Sequence, residues 1–386
     1  MGIPFIDLQA QRARIADKID VGIAKVLEHG RFILGPEVQE LEEKLSAFTG
    51  AAHTVTCANG TDALALPLMA WGVGPGDAVF CPSFTFTATA EVVPWEGASP
   101  VFVDIDPKTY NMDPASLVVA IEEVKRQRKL TPKVIIAVDL FGQPADYPAI
   151  KAIAEKYGMK LIADSAQGFG CTIDGKHPIF WADAVTTSFF PAKPLGCYGD
   201  GGAVQTNDAR LAELLDSLRV HGKATSADMA AAKYSGHDPK YLNPRIGMNS
   251  RLDSIQAAVL LEKLEIFAEE IELREKVAQR YNEALKDHVS AVPFVKPGYQ
   301  STWAQYTIEI DNRDAFQAAL REKDVPTAVY YPVPMHMQAP YRKYLTPRGG
   351  LPVTDNKRTS VVSLPMHPYL DEEMQDVIIS AVNEAK

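Results

Sequence analysis

Residues 184–206 read AVTTSFFPAKPLGCYGDGGAVQT, with two strand-like runs on either side of a loop that carries a single lysine. The β-forming residues 184–188 predict a strand broken by Pro191, and residues 202–206 predict a second strand after a cluster of glycines. Lys193 is therefore expected on the loop at the carboxyl end of the first strand. In an open α/β sheet, ligands bind at this edge. On this stretch alone, Lys193 is either a surface cation or a nucleophile at a ligand site.

Strands and helices alternate before this stretch. Continuous apolar strands separated by helices are typical of a mostly parallel sheet covered on both faces, which predicts an α/β fold. Catalytic groups should then follow the strand ends, and three candidates do so: the aromatic cluster 84–86, Asp164 with Gln167, and Lys193. The apolar runs are residues 78–82, 100–105, 133–138 and 160–164.

Composition narrows the class of protein. The chain has 386 residues, 46% of them hydrophobic, which suits one large domain and a smaller second one. With 49 acidic and 39 basic residues, it has no general positive field to attract nucleic acid or an anionic membrane. No secretory signal and no apolar run near the roughly 20 residues that span a bilayer are found, which predicts a cytoplasmic protein. The four cysteines form no CxxC pair, as expected of structural thiols in a reducing compartment.

Residues 54–64, TVTCANGTDAL, predict a short strand followed by the start of a helix. The free backbone N–H groups at such a helix start are a ready site for phosphate. An ordinary capped helix is the alternative.

The domain organisation follows from the remaining patterns. An N-terminal arm and a large domain are expected over residues 1–250, and a bridging helix with a small α+β domain over 251–386. The segment 223–241 has no steady period and is expected to be a mobile loop or insertion. His336 and His367 have no second ligand at zinc-type spacing, so no metal site is predicted.

Several motifs in order resemble the DegT/DnrJ/EryC1/StrS family of sugar aminotransferases, which are fold-type I pyridoxal phosphate enzymes. The resemblance covers essentially the whole chain, from FIDL at residues 5–8 through FILGP at 32–36 to SLPMHP at 363–368. It implies an aspartate aminotransferase-like large domain with a mostly parallel sheet, followed by a small C-terminal α+β domain.

The same resemblance implies pyridoxal 5′-phosphate as cofactor and gives two residues catalytic roles. Lys193 matches the lysine whose amine condenses with the cofactor aldehyde and then moves a proton between substrate carbon and cofactor. Asp164 matches the carboxylate that faces the pyridine nitrogen and keeps it protonated. Some relatives are dehydratases with a histidine at the lysine position, so Lys193 favours the aminotransferases. Ala192 departs from the family, since many relatives have a hydroxyl or amide residue there.

Further cofactor contacts are implied in the same way. Gln167 matches the residue near the cofactor's 3′-oxygen, and Phe86, with Phe84 as second choice, matches the aromatic side chain that stacks on the ring. Core packing is the alternative for both rings. Asn249 matches a residue that relatives contribute from the second subunit, which implies a homodimer with shared active sites. The phosphate contacts are matched by Gly60, Thr61 and Ser188.

The motifs are most similar to the branch that aminates C3 of UDP-linked 2-acetamido-3-keto sugars, as the uronic acid or the unoxidised sugar. The product would feed lipopolysaccharide or O-antigen assembly, with glutamate as amino donor. Arg251 is the main candidate for an anionic substrate group, because a guanidinium binds a carboxylate or diphosphate through two hydrogen bonds. Tyr331 and His336 are weaker substrate candidates, as is Arg31, for which simple solvation is the alternative.

Three other functions stay open at this point. The substrate is alternatively a 4-keto dTDP- or UDP-sugar, or the protein is a non-catalytic regulatory module on the same fold. A dinucleotide-binding oxidoreductase is disfavoured because no G-x-G-x-x-G follows the first strand.

Overall fold

The central element of the structure, a computed structural model that describes residues 2–230 and 241–385, is a seven-stranded sheet. Its strands are β1 (His53–Cys57), β2 (Asp77–Pro82), β3 (Ser99–Val103), β4 (Thr131–Val138), β5 (Lys160–Asp164), β7 (Ala184–Ser188) and β8 (Gly202–Thr206). Their spatial order is β1, β8, β7, β5, β4, β2 and β3. Strand β8 is antiparallel to both of its neighbours and the other adjacent pairs are parallel, so the expected mostly parallel α/β sheet is confirmed.

Helices cover both faces of this sheet. Alternate residues of β2 enter different cores, with Val79 and Cys81 on one face and Ala78 and Phe80 on the other. This two-sided burial is why the strands appear in the sequence as continuous apolar runs. One face packs α3 (Gly60–Ala70), α4 (Ala88–Trp95) and α7 (Ala209–Leu218), and the other packs α5 (Pro114–Gln127) and α6 (Tyr147–Tyr157).

Local sequence signals set several helix ends. The side chains of Asp113 and Asp208 accept hydrogen bonds from the first-turn N–H groups of α5 and α7, as N-cap residues do. Gly158 ends α6 with a φ of 66°, a left-handed conformation that favours glycine.

A long helix, α9 (Ser254–Leu285), connects two hydrophobic cores. Its first half packs against α2 (Pro36–Thr49) and the lysine loop, and its second half packs against the C-terminal elements. The division into domains at residues 250 and 251 stays a prediction. The C-terminal strands are β10 (Tyr306–Glu309) and β11 (Val361–Leu364), with helices α10 (Arg313–Glu322), α11 (Pro352–Ser360) and α12 (Glu372–Glu384).

The remaining elements lie at the edges. Helix α1 (Leu8–His29) packs along α9, and β6 (Thr172–Ile173) pairs with β9 (Tyr299–Gln300). Within the segment expected to be a loop, residues 226–230 form a short helix, α8 (Ser226–Ala230), whereas residues 231–240 lie outside the described part of the chain. Among the helices of residues 2–230 and 241–385, none combines the length and the apolar character needed to cross a bilayer.

Candidate active site

Lys193 lies on a tight loop between β7 and β8. Its backbone N–H donates to the carbonyl of Phe190 over 2.9 Å, and a Cβ at Gly196 would lie only 2.4 Å from the carbonyl oxygen of Pro191. Burial lowers the pKa of the half-buried Lys193, and the charge of Asp164 acts in the opposite direction. The neutral amine, which is the nucleophilic and basic form, is therefore more available than in a solvated lysine.

Asp164 is the last residue of β5, and its side chain is 4% exposed. Its Oδ2 accepts a 2.8 Å hydrogen bond from the Thr89 hydroxyl, and its Oδ1 accepts one of 3.2 Å from the Ala166 N–H. Burial raises the pKa of Asp164, whereas these two donors and the charge of Lys193 lower it. A buried carboxylate with few polar partners thus interacts through its charge with the half-buried amine of Lys193 at the carboxyl edge of the sheet.

A second buried carboxyl group, Asp139, supports the turn that follows Asp164. Asp139 directly follows β4, and its carboxylate accepts hydrogen bonds from the Tyr147 hydroxyl over 2.6 Å and from the Ser165 hydroxyl. Its backbone N–H donates to the carbonyl of Asp164 over 3.0 Å. Burial raises the pKa of Asp139 to about 7. Asp139 therefore holds the turn 164–168 against β4.

Replacing Gly168 with alanine should destabilise this turn. The added Cβ would lie 2.3 Å from the Cβ of Asp139, closer than any real contact of this kind. We expect the free energy of unfolding to fall by about 1–3 kcal/mol, as for other overpacked sites. Urea denaturation measures the change. Gly74→Ala is the control, because its nearest neighbour would be the Glu96 carbonyl at 3.7 Å, and equal stability of the two variants would contradict the prediction.

Gln167 connects the turn after β4 to the C-terminal region. Its Oε1 accepts from the Phe141 N–H, and its Nε2 donates to the Tyr331 hydroxyl, each over 2.8 Å. Phe86 is 54% exposed with its ring centroid 6.4 Å from that of Tyr331, whereas Phe84 is fully buried. The structure thus places Tyr331 beside Gln167 and Phe86. It also leaves Phe86, and not Phe84, with a ring face available for stacking.

The predicted phosphate contacts lie together at the start of α3. Gly60 and Thr61 are its first two residues, so their N–H groups have no acceptor within the helix. A Cβ at Gly60 would lie 2.6 Å from the Cβ of Ser188, which brings the end of β7 against this helix terminus. The helix is capped by Asn59, whose Oδ1 accepts from the Asp62 N–H over 2.8 Å. This combination of free N–H groups and a neighbouring hydroxyl suits a phosphate group.

Asn249 and Arg251 lie on a segment next to this helix start. The Ser250 hydroxyl between them accepts from the Ala58 N–H over 3.1 Å, and the Ser250 N–H donates to the carbonyl of Arg219. Asn249 is exposed, and the buried Nε of Arg251 has no hydrogen-bond partner among the described residues.

Two other substrate candidates lie elsewhere. One ring nitrogen of His336 lies 2.7 Å from the Ser83 hydroxyl and the other lies 3.2 Å from a carboxylate oxygen of Asp355, so the imidazole joins the C-terminal region to the end of β2. Arg31 is exposed beside α2, and the Ser254 hydroxyl donates to its carbonyl. Neither placement tests a role in substrate binding, and both roles stay predictions. No group of three potential metal ligands occurs within residues 2–230 and 241–385.

Sequence reasoning missed three residues of this site. Asn59 had a signal, since Asn before a helix start is a favoured cap. Asp139 had the same signal as Asp164, because it directly follows a predicted strand. Thr89 had none, since nothing local indicates that a helical hydroxyl points at a carboxylate 75 residues away.

A family comparison identifies the chain. The model of the DegT/DnrJ/EryC1/StrS aminotransferase family matches residues 14–383. The protein belongs to this family. The predicted family and aminotransferase activity are therefore confirmed, and the aminotransferases of this family use pyridoxal phosphate.

Two relatives are similar in sequence to this chain over nearly its full length. The UDP-2-acetamido-2-deoxy-3-oxo-D-glucuronate aminotransferase of Pseudomonas aeruginosa is 50% identical over 382 residues, 98% of this chain and 99% of the relative. The UDP-N-acetyl-3-dehydro-alpha-D-glucosamine 3-aminotransferase of Acidithiobacillus ferrooxidans is 40% identical, covering 96% of this chain and 94% of the relative.

Solved structures that resemble this chain confirm the fold class. A DegT DnrJ EryC1 StrS aminotransferase from Brucella abortus superposes with a TM-score of 0.93 at 52% identity, covering 98% of both chains. S. venezuelae DesV in complex with a ketimine intermediate superposes with a TM-score of 0.89 at 33% identity, covering all of this chain and 99% of the other.

Proposed function

We propose that this aminotransferase moves an amino group from glutamate to C3 of a UDP-2-acetamido-2-deoxy-3-keto-hexuronic acid, with pyridoxal 5′-phosphate as cofactor. The observation that carries the reaction is the half-buried amine of Lys193 near the buried carboxylate of Asp164 at the carboxyl edge of the sheet. Support for the substrate comes from the Pseudomonas aeruginosa relative at 50% identity. A place in lipopolysaccharide or O-antigen synthesis follows from such a product.

The residues present fit the cofactor. The N–H groups of Gly60 and Thr61 and the Ser188 hydroxyl suit its phosphate, and the exposed ring of Phe86 suits one face of its pyridine ring. When bound, pyridoxal phosphate supplies an aldehyde carbon and an electron-withdrawing ring. The carboxylate of Asp164 would hold a proton at the ring nitrogen, because an ionised partner favours the charged form.

Lys193 then has two tasks. Its Nζ would hold the cofactor until the amino donor takes its place. Once released, Nζ would move a proton from the α-carbon of glutamate to the cofactor, and in the second half-reaction it would move a proton from the cofactor to C3 of the sugar. Both tasks require a neutral amine at part of the cycle, which agrees with the lowered pKa of Lys193.

Arg251 is the proposed contact for the anionic part of the sugar nucleotide. Its buried Nε has no partner among the described residues, so the guanidinium keeps a donor for a ligand. A charge-assisted pair with a carboxylate or phosphate would satisfy it.

Arg251→Ala is therefore expected to raise KM for the sugar nucleotide by about tenfold to a hundredfold, the size of a lost hydrogen bond to a charged group. The kcat value and the bound cofactor content should stay close to those of the wild type. Steady-state kinetics and cofactor absorbance measure both, with Arg321→Ala as an exposed control on α10. A KM equal to that of the wild type would remove this role.

We also infer a cytoplasmic homodimer in which Asn249 reaches the site of the partner subunit. Asn249 is exposed in the single chain, and the large apolar side chains Phe190, Tyr198 and Ile246 are exposed as well. Exposed apolar groups beside an active site are typical of a subunit interface.

One observation supports the unoxidised 3-keto sugar as a second candidate substrate. The Acidithiobacillus ferrooxidans relative, at 40% identity, is named for the unoxidised 3-keto sugar. A non-catalytic regulatory role is less well supported, since a pure binding protein has no need for a half-buried amine near a buried carboxyl group.

Product analysis tests these assignments. The purified protein would be incubated with glutamate and with a panel of enzymatically generated 3-keto and 4-keto UDP- and dTDP-sugars, and the products identified by mass spectrometry. We expect amination of the UDP-3-keto uronic acid in preference to the others. Preferred amination of the unoxidised sugar would favour the second substrate, and amination of no sugar would contradict the proposal.

A further inference from the structure

Two buried threonine hydroxyls form a chain that ends on Asp164. The Thr85 and Thr89 hydroxyl oxygens are 3.0 Å apart, and the Thr89 hydroxyl donates to Oδ2 of Asp164 over 2.8 Å. The two threonines are 2% and 1% exposed, so water competes little for these bonds. Thr85 lies between β2 and α4, on the segment that also carries Phe86, and Thr89 is the second residue of α4.

The ionisation state of Asp164 fixes the direction of this chain. An ionised carboxylate only accepts hydrogen bonds, so Thr89 must use its single hydroxyl proton on Asp164. The Thr89 oxygen is then left as an acceptor, and Thr85 donates to it. Hydrogen bonds in such a chain polarise one another, so the donation from Thr85 strengthens the donation from Thr89.

The geometry differs from that of a threonine with a merely local role. A threonine in a helix commonly bonds a backbone carbonyl of the preceding turn. Thr89 instead donates to a side chain of another strand, 75 residues away. The groups with electrostatic influence around Asp164 are Lys193, Asp139, Tyr147 and Tyr331, and of these Lys193 is the cation.

We propose that Thr89, oriented by Thr85, is a positioning residue that keeps Asp164 ionised and directed at the pyridine nitrogen of the cofactor. The inference rests on the proposed cofactor chemistry and extends it to a residue outside the cofactor contacts. Residues 85–89 would then position two cofactor contacts at once. They carry the ring of Phe86, and through Thr89 they hold the carboxylate of Asp164.

The test compares holoenzymes loaded with ¹⁵N-labelled pyridoxal phosphate. The ¹⁵N chemical shift of the ring nitrogen, followed against pH, reports its protonation directly. In Thr89→Val the midpoint should fall by about one to two pH units, because a lost hydrogen bond to a charged group changes an equilibrium about tenfold to a hundredfold. The glutamate half-reaction should slow by about tenfold or more on the same basis. Thr85→Val should shift the midpoint less, in the same direction.

Two variants separate this role from a purely structural one. Thr89→Ser restores the hydroxyl without the methyl group and should recover the wild-type midpoint. Thr87→Val lies on the same segment, but its hydroxyl lies 3.3 Å from that of Tyr341, so it should leave the midpoint unchanged. A wild-type midpoint in Thr89→Val, or an equal shift in Thr87→Val, would overturn the inference.

Failure of the proposed function gives a different result. Neither readout uses a sugar, so a wrong sugar assignment leaves both unaffected. A wild-type protein that bound no pyridoxal phosphate would overturn the proposed function and this inference together, whereas an unchanged midpoint in Thr89→Val overturns the inference alone.

Discussion

Lys193→Ala should lower turnover by about 10⁴-fold, the upper range for loss of a positioned general base. The same side chain is proposed to attach the cofactor and to transfer the proton, so no second residue replaces it. Folding should change little, because the half-buried amine lies on a loop whose path is set by backbone hydrogen bonds. Burial lowers the pKa of this amine, which means that the folded state disfavours its charged form. Removing the amine should therefore not lower the stability of the fold.

Kinetics and covalent labelling measure this effect together. Borohydride reduction of the wild-type holoenzyme should fix the cofactor on the peptide that contains Lys193, and the variant should show no such modified peptide. Lys176→Ala is the control, because Lys176 is exposed beside Phe180. Turnover of Lys193→Ala near that of the control would refute the assigned role.

Asp164→Asn should reduce kcat by about 10²–10³-fold, as does the removal of other groups that stabilise charge in a reaction. The carboxamide has nearly the same shape, but it carries no charge to hold a proton at the pyridine nitrogen. Asp183→Asn, at the opposite end of the sheet beside Leu161, is a matched control that should keep normal kcat. Similar kcat values for the two variants would contradict the role of Asp164.

The stability of the wild type relative to this variant should depend on pH, with a definite sign. Burial raises the pKa of Asp164 in the folded protein, so protonation favours the folded state and stability falls as the pH rises through the folded pKa. The asparagine variant lacks this loss. Thermal unfolding of the two apoproteins should therefore show the variant gaining stability relative to wild type at higher pH, and a relative loss would contradict the pKa shift.

Much of this site was predictable because its chemistry follows local signals. The apolar runs before Asp164 and Lys193 identify strands, and parallel strands present their carboxyl ends at one edge. The sequence by itself therefore determined the α/β class, the position of both residues at that edge and, through whole-chain motifs, the family.

Only the tertiary structure decided which groups orient these residues. The contacts of Thr89 with Asp164, of Gln167 with Tyr331 and of Ser83 with His336 join positions 75, 164 and 253 residues apart. No local propensity encodes such pairs, because they form only when strands, helices and the C-terminal region pack together. The strand ends place the reactive groups, and the packing of distant elements sets their hydrogen bonds and their burial, on which charge state depends.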